Sequence, residues 1–275
     1  MATDDFNLPE ELQREAKVAS AIERLHDATV GRCTKCDNGF IEEKSRKIRQ
    51  ASDLIYGNVQ YCDCYKAYQR YRNYIVSEIP KEFWGVRDMQ MDFGEVINKK
   101  ISTYITKFDK VFESGFGILF LGSPDGIKKP NSGTGKTTIA AKVLGHALES
   151  GKTAHYTTMH SYFHLIYRSM DDDGVKYKKL IDEIDSVDFL VIDEVGKIKK
   201  SEYVYYRFED MLRRRSSQLL VTLIVTNMNE VELEEFVGPS IMDIFRNTMM
   251  KIILVGQSHR NRRFISTQKA INLIP

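Results

Sequence analysis

The sequence predicts an α/β fold: a parallel β-sheet flanked by helices, preceded by a small helical module. Three observations carry this. After Gly115, short apolar runs alternate with helix-length segments, and parallel neighbours need such crossovers. One run is followed by a glycine-rich GTGKT segment that opens a helix. All four cysteines fall between Cys33 and Cys64, before the alternation begins.

The elements follow in chain order. PEELQREAKVASAIERLHD predicts a helix from Leu8 to His26, with Asn7 as its N-cap and Pro9 in its first turn. The cysteine segment comes next. CYKAYQRYRNYIVSEI then predicts an aromatic-rich helix ended by Pro80, and an amphipathic helix is expected over Glu95–Glu113. Strands are predicted at Gly117–Leu121, Thr153–Thr157, Phe189–Ile192, Leu219–Thr226 and Lys251–Val255. The change of character sets two expected domains, 1-80 and 81-275.

A hydrophobic content of 42% and a charged content of 28% suit a globular chain with a substantial core. The formal charge of +2 gives no global pull toward polyanions, so any nucleic-acid contact must come from local patches. No run reaches the ~18 apolar residues that span a bilayer. The acidic start, MATDDFNLPEELQ, lacks a signal peptide's basic and apolar regions, so the expected location is cytoplasmic. There, clustered cysteines favour a metal over disulfides. Cys33, Cys36, Cys62 and Cys64 offer four thiolates to one tetrahedral Zn²⁺, a closed and therefore structural site.

The chemistry concentrates at three strand ends. In Gly133, Thr134, Gly135, Lys136, Thr137 and Thr138, glycines free backbone N–H groups to wrap a phosphate at a helix N-terminus. Lys136 reaches the β- and γ-phosphates, and the Thr137 hydroxyl serves Mg²⁺. The loop departs from the compact pattern: Pro130 stands where a glycine is usual, and an insertion follows Pro124. Loop insertions cost little entropy. In DFLVIDE, Asp193 is placed for the Mg²⁺ shell and Glu194 for deprotonating the attacking water. TLIVTNM ends in Thr226 and Asn227, a strand expected between its two neighbours so that Asn227 positions the same water. Together these form an ASCE-type P-loop, with Lys136 expected to face the acidic pair at the tip of an adjacent strand.

These motifs, with CTKC and CDC, SEIPKEF, VGPSIMDIFR and QSHRNR, come in the order found in AAA+ helicase loaders. The chain resembles the DnaC/DnaI type and the related IstB transposition helpers. The resemblance implies an ATPase that delivers a hexameric DnaB-family replicative helicase to single-stranded DNA, homo-oligomeric when helicase-bound. The chain's source would be a bacterium or a phage. The alternative is an IstB-like helper acting with a transposase on duplex DNA. A small-molecule kinase is disfavoured by the DE pair and the strand-end Asn227, and a nucleotide-gated module with negligible turnover is a further alternative. The likeness assigns Asn227 to sensor 1 and Arg260 to sensor 2. It puts Ile244 at the arginine-finger position, with Arg246 as the substitute. It also places single-strand contacts at Ser201, Tyr203 and Tyr167, the last paired with Arg168. Arg213–Arg215 are read as a helix end complementing its dipole.

Overall fold

The computed structural model describes residues 10–37, 40–41, 60–86, 92–123, 133–170, 174–198 and 201–254. Asn7, Pro9, the insertion after Pro124, Ser132, Lys199, Lys200 and Arg260 lie outside the described residues. The chain divides into two compact units at Val76/Ser77.

The first unit begins with helix α1 (Glu10–Thr29). A two-residue antiparallel pair, β1 (Phe40–Ile41) and β2 (Gln60–Tyr61), leads into α2 (Asp63–Val76). The two helices pack together, His26 meeting the Tyr68 ring edge-on at 5.4 Å, with Leu25, Val30 and Tyr74 buried. Helix α2 stops earlier than Pro80 alone predicts. Glu78 adopts a left-handed φ of 56°, so the chain leaves the helix before the proline can act.

In the second unit the lead-in Ser77–Phe83 ends in a single 3₁₀ turn, Lys81–Phe83, which buries Phe83. The stretch expected as one helix over Glu95–Glu113 is two, α3 (Glu95–Thr106) and α4 (Phe108–Ser114), meeting at Lys107. The apolar pattern crosses this break without a glycine or proline. Tertiary packing decides it: Tyr104 and Phe108 are both buried, and the Tyr104 hydroxyl donates to the Phe116 carbonyl at 2.7 Å.

The sheet follows. Strands β3 (Gly117–Leu121), β4 (Ala154–Thr158), β5 (Phe189–Val195), β6 (Val221–Thr226) and β7 (Met249–Ile253) are all parallel, in the order β4-β5-β6-β3-β7. Near-continuous burial along β3, β5 and β6 explains why they read as unbroken apolar runs. The crossovers are α5 (Lys136–Glu149), α6 (Met159–Arg168), α7 (Gly174–Ser186), α8 (Glu202–Ser217) and α9 (Glu230–Thr248). Strand β6 separates β3 from β5, so the phosphate-loop strand and the acidic strand are not direct neighbours. The loop after β3 instead feeds α5, which packs over β4, β5 and β6.

Helix α9 kinks at Gly238, whose φ of 78° and ψ of 166° are not helical, and Pro239 starts the second half. A Cβ at Gly238 would sit 3.1 Å from the Tyr205 hydroxyl, so the kink and the approach of α8 both need glycine.

Candidate nucleotide and metal site

The glycine-rich loop delivers Lys136 as the first residue of α5. Gly135 takes a left-handed φ of 94°, and a Cβ there would lie 2.5 Å from the Phe93 ring. Glycine is therefore required twice, for the turn and for the approach of Phe93. The Lys136 side chain is buried and donates to Thr134 Oγ1 at 3.1 Å. Burial lowers its pKa to about 8, with the Asp193 carboxylate pulling the other way. Lys136 therefore lies within electrostatic reach of Asp193. Thr137 is half-buried and Thr138 buried beside it.

Strand β5 ends in an irregularity between Ile192 and Val195, where its register with β6 shifts. Asp193 is buried there, its Oδ1 accepting from the Glu194 N–H at 2.6 Å and its Oδ2 from the Tyr156 hydroxyl at 2.7 Å. Glu194 has a left-handed φ of 58°, and its carboxylate is ion-paired with Lys197 at 2.5 Å. The neighbouring tip of β6 is tied in by Thr226, which donates from Oγ1 to the Val195 carbonyl at 2.7 Å. Asn227 follows, exposed at the end of the strand between β3 and β5. The Met228 carbonyl accepts from the Gly122 N–H at 2.8 Å, linking the ends of β6 and β3.

Thr137 and Asp193 supply hard oxygen donors, and a carboxylate and a hydroxyl suit Mg²⁺, which keeps several waters beside few protein ligands. The loop, Lys136 and the acidic pair thus gather at the C-terminal edge of the sheet, where open α/β sheets bind ligands.

Other expected residues fall as follows. Arg246, in the last turn of α9, is exposed and pairs with Glu234 at 2.7 Å and Asp243 at 3.4 Å, while Ile244 packs against the core. Tyr167 and Ser201 come together, their hydroxyls 3.4 Å apart, and Tyr203 and Tyr206 are exposed nearby in sequence at the start of α8. Arg168 lies over the Tyr177 ring, 5.5 Å from its centroid.

Arg214 and Arg215 stand in the last turn of α8, the expected helix end, but Arg215 does more than face the helix dipole. Arg215 is fully buried, donating to the carbonyls of Asp185, Val187 and Val221 and to Thr222 Oγ1 at 2.6–2.9 Å. Arg214 pairs with Asp185 at 2.9 Å, and Tyr162 donates to the same carboxylate at 2.7 Å. Burial pushes the Asp185 pKa up against these partners, and lowers that of Arg215 to about 10. Sequence reasoning missed Tyr156, Phe93 and the buried role of Arg215. Each depends on a neighbour distant in the chain, and no local pattern marks it.

In the first unit, the four Sγ atoms of Cys33, Cys36, Cys62 and Cys64 lie within 4.8 Å of one another. Cys33 and Cys62 are 3.7 Å apart, Cys36 and Cys64 3.4 Å. Four sulfurs about 2.3 Å from a central zinc would be about 3.8 Å apart, so the set fits the ion. The Cys33 thiol is lowered to about 7, chiefly by a hydrogen bond from the Lys35 backbone, then by Cys36; burial raises that of Cys64. The pairs are presented by two local turns: the Cys33 N–H donates to the Val30 carbonyl, and the Cys62 carbonyl accepts from Tyr65 and Lys66 at the start of α2.

The strand order and the glycine-rich loop opening α5 define a P-loop-type α/β fold. The comparisons narrow the class to similarity with DnaC-type replicative helicase loaders. The Replicative helicase loader DnaC of Escherichia coli (strain K12) is 29% identical over 164 residues, 59% of this chain and 62% of that protein. The DnaC of Buchnera aphidicola subsp. Baizongia pistaciae is 26% identical over 144 residues, 52% of this chain and 54% of its own. The chain thus spans less than two thirds of the length of these relatives. Among solved structures, the DnaC helicase loader superposes with a TM-score of 0.53 at 18% identity, covering 64% of this chain and all of that one. DnaI gives 0.52 at 19% identity over 64% of this chain and 95% of its own. The replication initiator DnaA bound to AMPPCP and single-stranded DNA gives 0.50 at 14% identity, over 68% and 55%. No family model matches the chain. Among the described residues, no helix is long and apolar enough to cross a membrane.

Proposed function

We propose that this protein is an ATP-dependent loader of a replicative DnaB-family helicase, delivering it to single-stranded DNA and timing its release by hydrolysis. The observation that carries the reading is the buried Lys136 opening α5 behind the glycine turn, with the buried Asp193 at the end of β5, on a sheet similar to that of DnaC. The loop N–H groups of Gly133–Thr138 cradle the phosphates, and Lys136 neutralises the β- and γ-oxygens. Thr137 and Asp193 would hold Mg²⁺, which neutralises charge on the phosphates. Glu194 takes the proton of the attacking water, and Asn227 orients that water. Bond formation to the γ-phosphorus and cleavage of the β–γ bridge then give ADP and phosphate from ATP and water.

Arg246, from a neighbouring copy, supplies positive charge to the γ-phosphate after leaving Glu234, and Arg260 serves as sensor 2. An arginine finger supplies about 10³–10⁵ in rate, so turnover in the isolated chain is weak. Tyr167, Ser201 and Tyr203 meet the single strand by stacking and hydrogen bonding. The domain 1-80, closed by zinc on its four cysteines, engages the helicase.

The test is co-purification with a replicative helicase, followed by loading of that helicase onto a closed single-stranded circle. Loading that needs ATP and this protein supports the reading. Failure to bind the helicase, or loading unchanged without the protein, overturns it.

A further inference from the structure

Asp193 is held by more than its own strand. In the β4–β5 register, Thr158 lies opposite Asp193 and Tyr156 lies opposite Val191. Residues two apart share a sheet face. Tyr156 therefore starts two residue pairs behind Asp193, and the length of its ring carries the hydroxyl forward to Oδ2 at 2.7 Å. The other oxygen is taken by the Glu194 N–H at 2.6 Å. An ionised carboxylate only accepts, so the phenol is the donor. With one donor on each oxygen, the carboxylate plane is fixed before any ligand arrives, and its remaining lone pairs are left for another partner. The tyrosine is itself fixed: it is buried, its N–H donates to the Ser77 carbonyl at 2.8 Å, and its ring centroid lies 6.4 Å from that of Phe83.

We infer that Tyr156 is a positioning residue that orients the Asp193 carboxylate for the magnesium of the bound nucleotide, with the lead-in Ser77–Phe83 holding its ring. This rests on the reading of Asp193 as the metal-serving carboxylate. Partners one step out from a metal typically tune its affinity by about 10–100-fold.

Tyr156→Phe keeps the ring and removes only the donor. With AMPPCP bound, titration with Mn²⁺ followed by its electron paramagnetic resonance signal reads metal affinity without turnover. The expected result is about a tenfold or greater loss in Tyr156→Phe, with AMPPCP affinity in EDTA unchanged and the melting temperature within a few degrees of wild type. In an Asp193→Asn background, adding Tyr156→Phe should cost nothing more. Unchanged Mn²⁺ affinity in Tyr156→Phe overturns the inference and leaves the nucleotide site standing. An equal loss of metal-free AMPPCP affinity, or a large fall in melting temperature, also overturns it, since Tyr156 would then act only through packing. Should wild type hold Mn²⁺ no better than Asp193→Asn, the reading of Asp193 fails first.

Discussion

The two units solve the same problem in different ways. The second fills a sheet with apolar side chains: Ile118, Phe120, Leu190, Val191, Leu223 and Ile224 are at most barely accessible. Among its described residues the first has two helices, two strands of two residues each and few buried apolar groups, but brings four sulfurs within 4.8 Å. Hydrocarbon burial scales with area and grows with size, so a small module gains little from it. Metal ligation is local and does not need area. One unit is held by packing, and the other is arranged to be held by a ligand.

The sharpest way to break this contrast is to withhold the zinc proposed for the four cysteines. Structural zinc contributes about 10–16 kcal/mol of apparent binding energy, so chelation, or Cys62→Ser, should unfold the first unit. Far-UV circular dichroism should lose the α1 and α2 signal while the second unit keeps its melting transition. Loss of both transitions together would erase the distinction.

A comparable break in the packed unit needs a buried charge. Arg215→Met strands three carbonyls and a hydroxyl, and should destabilise the second unit by about 3–5 kcal/mol in denaturant unfolding. The first unit's zinc content should not change. At the sheet edge the effect moves from stability to chemistry. Glu194→Gln should lower turnover by about 10²–10⁴-fold while nucleotide affinity is held, measured by steady-state hydrolysis and by trapped ATP.

The smallest effect concerns the clasp between α8 and α9. Glu209 accepts from Ser240 at 2.6 Å and from Arg213 at 2.7 Å, and these bonds lower its pKa, Ser240 first. A depressed carboxylate stabilises the fold above its ordinary value near 4.5, and that stabilisation is lost as pH falls through the lower folded value. Glu209→Gln should cost under about 1 kcal/mol at neutral pH, and its difference from wild type should vanish in acid.

How much of this could be read beforehand follows the range of the forces involved. Strand β3 falls on its expected residues, because a fully buried parallel strand is an apolar run bounded by Gly115 and Gly122. The cysteine spacing announces a cluster, since chemistry and distance along the chain both speak there. The placement of Lys136 at a helix start and of Asp193 and Glu194 at a strand end is legible, because GKT opens the helix and DE closes the apolar run. The α3–α4 break was not, because its cause is the burial of Tyr104 and Phe108 rather than any helix-stop residue. Nor was the hold of Tyr156 on Asp193, which joins positions 37 residues apart through a β4–β5 register that no single segment encodes. The buried role of Arg215 is hidden for a similar reason: a basic residue in a last turn looks like dipole compensation alone until the strands around it are in place.

The phosphate site is tested most directly by equilibrium titration of a fluorescent ATP analogue with Mg²⁺ into wild type and Lys136→Ala, each checked for an intact melting transition. Lys136→Ala should bind at least about 100-fold more weakly, since a buried charge-assisted contact to phosphate is lost. Equal affinity in the two proteins would contradict the nucleotide site, and the loader reading built upon it.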